Sequence, residues 1–522
     1  MKTINNIKWL AFVALIFTAC NSDEDFVSDP NSSDGTTLTA GTADFTNFVA
    51  LGDSFAAGFS DNALFIEGQK NSYPNIMATQ FALIGGGDFK NPFMSDNIGG
   101  FSLGGVQVPQ FGVRLYLAPG NVPTPVTGIS GTDITAKITG PFNNFGIPGA
   151  KCTQLDLVGF GSVAGNPYFT RFASSAGATV VDDAIAQNPT FFSLWIGGND
   201  VLGYATSGGV NPADITAPAT FNTAYNSLVT KLAAGGRKGV VANLPYVNSL
   251  PYFTTVPYNP LTSSVIGSGN TTVGNATINQ LNTLLYGPLK QALTAFGAGD
   301  RLNLLSTTAG NPLLIKDESL PNLSAQLTAA FTPTLGAATA GLYGTIFGQA
   351  RQATTTDLIL LPTQSVIGTA PSASNSGLGF APPAPLNNFG ITFPLQDQHL
   401  LTPTEIDEIR LATDAYNVTI QNAATSNGLA FVDTKTVMTQ LSTTGIVANN
   451  YTLTSAYVTG STFSLDGVHP SPRGYAFLAN LFLKSINTTY GSNFKGVNVG
   501  SYRILYPKRI NEFLSKTFIK LH

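Results

Sequence analysis

The alternation of apolar and polar positions predicts short buried strands separated by amphipathic helices. Apolar runs predict strands at residues 48–51, 191–196, 240–244 and 429–433. Strands that are covered on both faces carry such continuous apolar runs. Because helix and strand alternate along the chain, the pattern predicts an α/β fold built on a parallel sheet.

The predicted helices carry recognisable start and stop signals. Apolar side chains recur at helical spacing from Phe221 to Leu232, and two glycines follow as a stop. Thr402, Pro403 and Glu405 form a capping box at the start of the clearest helix. Further helices are predicted at residues 73–82, 278–296, 323–350 and 472–486.

Two long segments interrupt this alternation. Residues 85–140 are rich in Gly, Pro and Thr, with short alternating runs that predict a β-rich insertion. Residues 254–394 contain the helices at 278–296 and 323–350, a predicted strand at 357–361 and a linker of Ser, Ala and Pro at 372–386. This second insertion is interpreted either as a lid or groove at a binding site, or as added packing against the sheet.

Composition excludes several classes of protein. Charged residues make up 10% of the 522 residues, whereas 43% are hydrophobic, so the chain is not a charge-driven disordered protein. The net charge of −4, with no basic stripe, excludes a nucleic-acid partner. The sequence has no His/Cys cluster and no phosphate loop, so we expect neither a metal nor a diffusible cofactor.

The N-terminus is similar to a bacterial lipoprotein signal. Lys2 and Lys8 precede an apolar run at residues 9–17 that is too short to span a bilayer. Cys20 follows small residues, although Phe17 stands where leucine is usual. The similarity implies a signal peptide at 1–19, lipidation of Cys20 and a flexible tether at 20–44. The acidic run at 21–25 is either an export signal to the outer-membrane surface or a solvated linker, and we expect an outer-membrane lipoprotein.

Four short motifs follow one another along the chain, and they carry the candidate chemistry. They are Gly52-Asp53-Ser54-Phe55, Asn144-Phe145-Gly146-Ile147-Pro148-Gly149, Gly197-Gly198-Asn199-Asp200 and Asp466-Gly467-Val468-His469-Pro470. Predicted strands lead into the first and third motifs, and the sites of open α/β sheets lie beyond the carboxyl ends of strands. The order of the motifs therefore predicts one site that gathers all four.

A serine nucleophile needs an adjacent base, and the chain has only three histidines. His469 follows Asp466 by three residues, a spacing that lets the carboxylate orient the imidazole. His399, two residues after Asp397, is the alternative base, and His522 is terminal. The predicted catalytic residues are Ser54, Asp466 and His469.

In these motifs the chain resembles the SGNH, or GDSL, family of serine esterases and lipases over roughly residues 45–490. The resemblance implies a three-layer α/β/α sandwich. It also implies an oxyanion hole made by the backbone N–H groups of Ser54 and Gly149 and by the side-chain amide of Asn199. Gly146 is an alternative to Gly149, and Asp53 and Asp200 are expected to brace their turns.

The resemblance implies a membrane-anchored serine hydrolase that cleaves carboxylic esters through an acyl-enzyme on Ser54, without a cofactor. Its expected partners are an acyl ester, from a lipid or an acylated glycan, and the membrane that holds its lipid anchor. A carbohydrate acetyl esterase is the alternative enzyme. An inactive surface binding lipoprotein is a further alternative, but it would lack a catalytic member, and none is missing here.

Because Ser54 and His469 must meet, one hydrolase domain is expected over residues 45–490, with insertions at about 85–140 and 254–394. Residues 491–522 form a C-terminal extension. Its last part, 508–522, places apolar residues on one helical face, as expected for a docked helix, a frayed tail or a lipid contact. Cys152 is interpreted as a small buried apolar residue.

Overall fold

A five-stranded parallel sheet forms the centre of the computed structural model, which describes residues 36–510. The strands are β1 (Phe48–Gly52), β2 (Asn144–Gly146), β3 (Phe191–Trp195), β4 (Lys238–Ala242) and β5 (Ala430–Val432). They lie in the order β5-β4-β3-β1-β2, and every neighbouring pair is parallel. The predicted mixed α/β fold with a parallel sheet is therefore confirmed.

Helices flank this sheet. They are α1 (Ser54–Ala57), α2 (Tyr73–Ala82), α3 (Val180–Ile185), α4 (Asn199–Thr206), α5 (Pro218–Leu232), α6 (Pro403–Ser426), α7 (Thr434–Thr443) and α8 (Pro472–Tyr490). Helix α8 packs on α2 and β5, and α5 packs on α6. The capping box of α6 is present, since the Thr402 N–H donates to Glu405 Oε2 at 2.6 Å.

The strand order places the motifs next to one another. Strand β1 lies between β2 and β3, with Gly52 in register with Gly146 on one side and Trp195 on the other. The first three motifs begin in these strands or directly after them. Because all the strands are parallel, these motifs meet at one edge of the sheet.

The insertion at 254–394 packs mainly on itself. Its buried side chains, from Val256 onward, form a hydrophobic cluster that is separate from the cluster around the sheet. The insertion contains helices Ser263–Ile266, Thr271–Leu281, Gly287–Ala295, Ser324–Leu335 and Ala337–Phe347, with a π-helical turn at Asn282–Tyr286. A two-stranded antiparallel ribbon pairs Leu314–Lys316 with Ala350–Gln352.

Two segments predicted in this insertion differ in detail from the structure. The helical stretch predicted over 323–350 is present as two helices, because the chain breaks at Gly336, whose φ of +75° no ordinary helical residue adopts. The strand predicted over 357–361 is only Leu358–Ile359, and it pairs antiparallel with Leu400–Leu401 outside the parallel sheet.

Other segments add short elements around the sheet. Residues 85–140 hold two hairpins, Ser102–Leu103 with Val106–Gln107 and Leu115–Ala118 with Val122–Pro125. Further short helices are Ile66–Lys70, Pro167–Thr170 and Pro251–Thr254, and a small antiparallel pair joins Ile446–Ala448 to Tyr451–Leu453. No helix within residues 36–510 is long and apolar enough to cross a bilayer.

The C-terminal extension docks on the body as far as the structure describes it. The buried Arg114 guanidinium donates to the carbonyl oxygens of Pro507 and Lys508, at 2.8 and 3.1 Å. The signal peptide, Cys20 and most of the tether lie outside the described residues, as does the helical face predicted beyond Ile510.

Candidate active site

Ser54 is the first residue of α1, directly beyond the carboxyl end of β1. Asp53 caps this short helix, since its Oδ1 accepts the Phe55 N–H at 3.0 Å. This tight strand-to-helix turn holds the Ser54 side chain at the edge of the sheet where the other motifs end. Burial raises the pKa of Asp53 to about 6.

A chain of hydrogen bonds joins Ser54, His469 and Asp466. His469 Nε2 lies 2.8 Å from Ser54 Oγ, and His469 Nδ1 lies 3.0 Å from Asp466 Oδ2. The structure therefore brings together all three predicted catalytic residues. This arrangement gives the serine a base and gives the base an orienting carboxylate.

Asp466 is held in its ionised form. Burial alone would raise its pKa, but the charge of His469 and the hydrogen bonds to the carboxylate outweigh burial and lower the pKa below 3.8. Oδ1 accepts the N–H groups of Val468 and His469, at 2.9 and 2.8 Å. A carboxylate that accepts several N–H bonds is stabilised as an anion. Asp466 is thus suited to stabilise an imidazolium on His469.

The loop at residues 60–62 holds the fourth motif in place, a role that sequence reasoning missed. The Asn62 N–H donates to Asp466 Oδ2 at 2.9 Å, and Ser60 Oγ donates to the Pro470 carbonyl at 3.1 Å. Asp61 Oδ1 accepts the Leu465 N–H at 2.9 Å. Ser-Asp-Asn is a typical turn sequence, so the turn was detectable, but its contact with a motif some 400 residues away was not.

Two aromatic rings enclose the imidazole. The ring centroids of Phe55 and Phe59 lie 5.4 and 4.6 Å from that of His469. Phe55 also contacts Trp195, with 5.0 Å between the ring centroids. These contacts restrict the rotation of the His469 ring, so that Nε2 stays directed at Ser54.

The geometry separates the two glycines proposed for the oxyanion hole. Gly149 is exposed, with a φ of +80° and open space where a Cβ would lie. The Gly146 N–H already donates to Asn144 Oδ1 at 2.9 Å, and a Cβ there would lie 2.2 Å from the Ala57 nitrogen. Within residues 36–510, the N–H groups of Ser54 and Gly149 are not taken up by hydrogen bonds. Gly149 is therefore the better donor, and Gly146 is a packing residue.

Asn199 and Asp200 tie the third motif to the loop that follows the second. Asn199 Nδ2 donates to the Ala150 carbonyl at 3.0 Å, and Asp200 Oδ2 accepts the Cys152 N–H at 2.8 Å. An amide nitrogen carries two hydrogens, so one remains available for an oxyanion. Asp200 braces the site as predicted, and burial raises its pKa.

The alternative base and the free thiol are both excluded from this site. His399 is buried in contact with Phe389, its Nδ1 accepts the Gln396 N–H at 3.1 Å, and burial lowers its pKa to about 4. Cys152 is a free, buried thiol, and burial raises its pKa well above the ordinary value. Such a thiol is not a nucleophile, which agrees with its interpretation as a small apolar residue.

An apolar cavity of about 90 Å³, partly open to solvent, adjoins the site. Its lining includes Asp53 and Phe55 beside the serine and Val468 and Pro470 beside the histidine. Within residues 36–510 there is no group of three or more His, Cys, Asp or Glu side chains placed to hold a metal ion.

A scan of the sequence against protein-family models gives no match, and a search of curated proteins gives no match either.

Proposed function

We propose that the chain is a serine hydrolase that cleaves carboxylic esters through an acyl-enzyme on Ser54, in a three-layer α/β/α fold of the SGNH type. The observation that carries this proposal is the hydrogen-bonded series Ser54–His469–Asp466, with distances of 2.8 and 3.0 Å. The ionised Asp466 and the free N–H groups of Ser54 and Gly149 support it.

In the first half of the reaction, His469 accepts the proton of Ser54 as Oγ attacks the ester carbonyl carbon. The N–H groups of Ser54 and Gly149, together with the remaining Asn199 amide hydrogen, donate to the oxyanion. When the carbonyl re-forms, the C–O bond to the alcohol breaks and His469 gives its proton to the leaving oxygen. The alcohol departs and leaves an ester on Ser54.

In the second half, water replaces the alcohol. His469 takes a proton from water as its oxygen attacks the acyl carbon, and the same donors hold the second oxyanion. The bond to Oγ breaks, the proton returns to Ser54, and the carboxylic acid is released. Asp466 stays ionised throughout and stabilises the imidazolium in both halves.

The test compares the full-length protein in detergent micelles with its Ser54→Ala variant on p-nitrophenyl acetate. We expect the variant to lose activity by about 10⁴-fold or more, because the nucleophile is gone. A fluorophosphonate probe should label the wild type and not the variant. Equal turnover by the two proteins, or no labelling of a folded wild type, would sink the proposal.

We also propose that Cys20 carries the lipid that anchors the enzyme to the outer membrane. Several acyl chains on one residue anchor a protein stably, because each buried methylene contributes about 0.8 kcal/mol. Cells fed with labelled palmitate should label the wild type but not Cys20→Ala, and the variant should leave the membrane fraction. Unchanged labelling would contradict the anchor without affecting the proposed chemistry.

A further inference from the structure

The apolar cavity is lined by residues next to both catalytic groups in the chain, but not by Ser54 or His469 themselves. Asp53 and Phe55, the neighbours of Ser54 in the chain, line one end, and so do Val468 and Pro470, the neighbours of His469. Phe55 contacts both His469 and Trp195, so it separates the cavity from the imidazole, and a substituent of a carbonyl bound at Ser54 would reach the cavity past this ring.

From there the cavity follows the carboxyl edge of the sheet. Its lining passes Trp195 at the end of β3, then Leu244 and Pro245 after β4, and reaches α7, which follows β5. Strand β5 lies three positions from β1 in the sheet, and neighbouring strands are about 4.8 Å apart, so the lining residues are spread over roughly 14 Å along this edge.

The lining is apolar apart from Asp53, Thr434 and Thr462, and the hydroxyls of both threonines are already engaged. Helix α7 contributes Val437, Met438 and Leu441. The hydroxyl of Thr434 donates to the Asn243 carbonyl at 2.5 Å, and that of Thr462 donates to the Gly460 carbonyl at 3.3 Å. A sugar bound here would bury hydroxyl groups without hydrogen-bond partners, which is unfavourable. A hydrocarbon chain has no polar groups that would lose hydrogen bonds on binding.

We propose that this cavity binds the acyl chain of the ester substrate and that α7 closes its far end and sets the preferred chain length. This rests on the proposed function, because the acyl chain reaches the cavity only when its carbonyl is bound at Ser54. The core of the hydrolase builds the acyl site, since none of the lining residues comes from the insertion at 254–394.

The test measures kcat/KM for p-nitrophenyl esters from acetate to palmitate with the full-length protein in detergent micelles. For the wild type we expect a rise of up to about fourfold for each added methylene until the cavity is full. Val437 is half-buried in the lining. Val437→Trp should fill the cavity and lower the decanoate-to-acetate ratio by about tenfold or more.

Two further variants sharpen the test. Thr439→Trp adds the same side chain at an exposed position of α7 outside the lining, and its ratio should match the wild type. Met438→Ala removes side-chain atoms from the proposed far end of the cavity. The acyl chain length with the highest kcat/KM should therefore be longer for this variant than for the wild type. Met438→Ala also keeps the proposal testable if Val437→Trp does not fold, and fluorophosphonate labelling of Ser54 reports folding.

The outcomes separate this proposal from the proposed function. If no ester is cleaved in a Ser54-dependent way, the proposed function fails and the acyl site fails with it. If acetate is cleaved by Ser54 but the ratios do not change in Val437→Trp and Met438→Ala, only the acyl site is overturned. It is also overturned if the variants instead change the hydrolysis of acetate esters of long alcohols, because the cavity would then hold the leaving group.

Discussion

At the scale of single residues, Asp466 is the group whose charge matters most for the proposed chemistry. Asp466→Asn keeps the shape of the side chain but removes the charge that stabilises the imidazolium and fixes the tautomer of His469. We expect kcat on p-nitrophenyl acetate to fall by about 10²–10⁴-fold with little change in KM.

Asp44→Asn is the control for this variant, because Asp44 is an exposed aspartate outside the site that accepts hydrogen bonds from the N–H and hydroxyl of Thr46. A kcat for Asp466→Asn within twofold of the control, on the order expected for surface changes, would contradict the role given to the carboxylate.

The two glycines of the second motif should respond differently to alanine. Gly149→Ala meets open space but strains a φ of +80°, at a cost of about 1–2 kcal/mol that can shift the loop and misplace its N–H. We expect a folded protein with kcat reduced by about 10²-fold. Gly146→Ala places a Cβ 2.2 Å from the Ala57 nitrogen, so it should lower the melting temperature first. If Gly146→Ala is instead folded but inactive, the oxyanion donor is the N–H group of Gly146 and not that of Gly149.

Asp61 makes stability depend on pH. Burial raises its pKa to about 7, against 3.8 for an ordinary aspartate, so the folded protein keeps this proton to higher pH than the unfolded chain. Its contribution is therefore most favourable at low pH, and stability is lost as pH rises through 7. Asp61→Asn keeps an acceptor for Leu465 and suits the φ of +51°.

We expect the free energy of unfolding of Asp61→Asn, relative to the wild type, to increase by on the order of 1–2 kcal/mol between pH 5 and pH 8. Urea unfolding at the two pH values measures this, with the exposed Asp88→Asn as the control. An advantage for Asp61→Asn that is the same at both pH values would show that the Asp61 carboxyl does not titrate in this range.

At the scale of elements, α6 depends on its capping box. The Thr402 hydroxyl donates to Glu405 Oε2 at 2.9 Å, alongside the backbone N–H. Thr402→Ala should cost about 1 kcal/mol of stability in thermal or urea unfolding. Thr404→Ala, an exposed position in the first turn, should cost much less. Equal losses would mean that the cap does not stabilise the helix.

Local signals were enough to predict four of the five strands of the sheet, all except β2, and helices with clear start signals such as α6. The apolar run at residues 191–196 and the capping box at Thr402 can each be recognised from adjacent residues in the sequence. The insertion was harder, because a helix of Ala, Leu and Thr is favourable on both sides of Gly336, and only packing decides the break. The strand at 357–361 was overextended because its partner, Leu400–Leu401, is short.

The same contrast between local signals and contacts distant in sequence holds at the candidate active site. The spacing of Asp466 and His469 predicted their contact, since three residues fit one turn. The contact of Asn62 with Asp466 and the cavity along α7 depend on residues that are far apart in sequence. No local pattern marks Val437 or Met438 as lining residues, because an apolar face of a helix looks the same whether it packs on a core or lines a cavity.

At the scale of the whole molecule, the two hydrophobic clusters imply two units of different stability. Arg351 forms ion pairs with two aspartates of the insertion. Its Nε lies 2.6 Å from Asp317, and its guanidinium makes a bidentate contact to Asp357 at 2.6 and 2.7 Å. Arg351→Met leaves both buried carboxylates unpaired, so we expect the insertion to lose about 3–5 kcal/mol.

Hydrogen exchange measures where this loss falls. Amides within 256–400 should exchange faster in Arg351→Met, whereas those of β1 and β3 should keep their protection. Lys316→Met removes a largely exposed pair with Glu318, next to Asp397, and is the control. If β1 and β3 lose protection to the same extent, the two clusters unfold as one unit.

The nucleophile and its base are 415 residues apart in the chain. Ribosomes add about 5–20 residues per second, so roughly 20 to 80 seconds pass between the synthesis of Ser54 and that of His469. During this time the emerging polypeptide holds Ser54 without its base. Under the proposed mechanism, an unfinished or truncated chain cannot form the acyl-enzyme, and activity is acquired only once translation is almost complete.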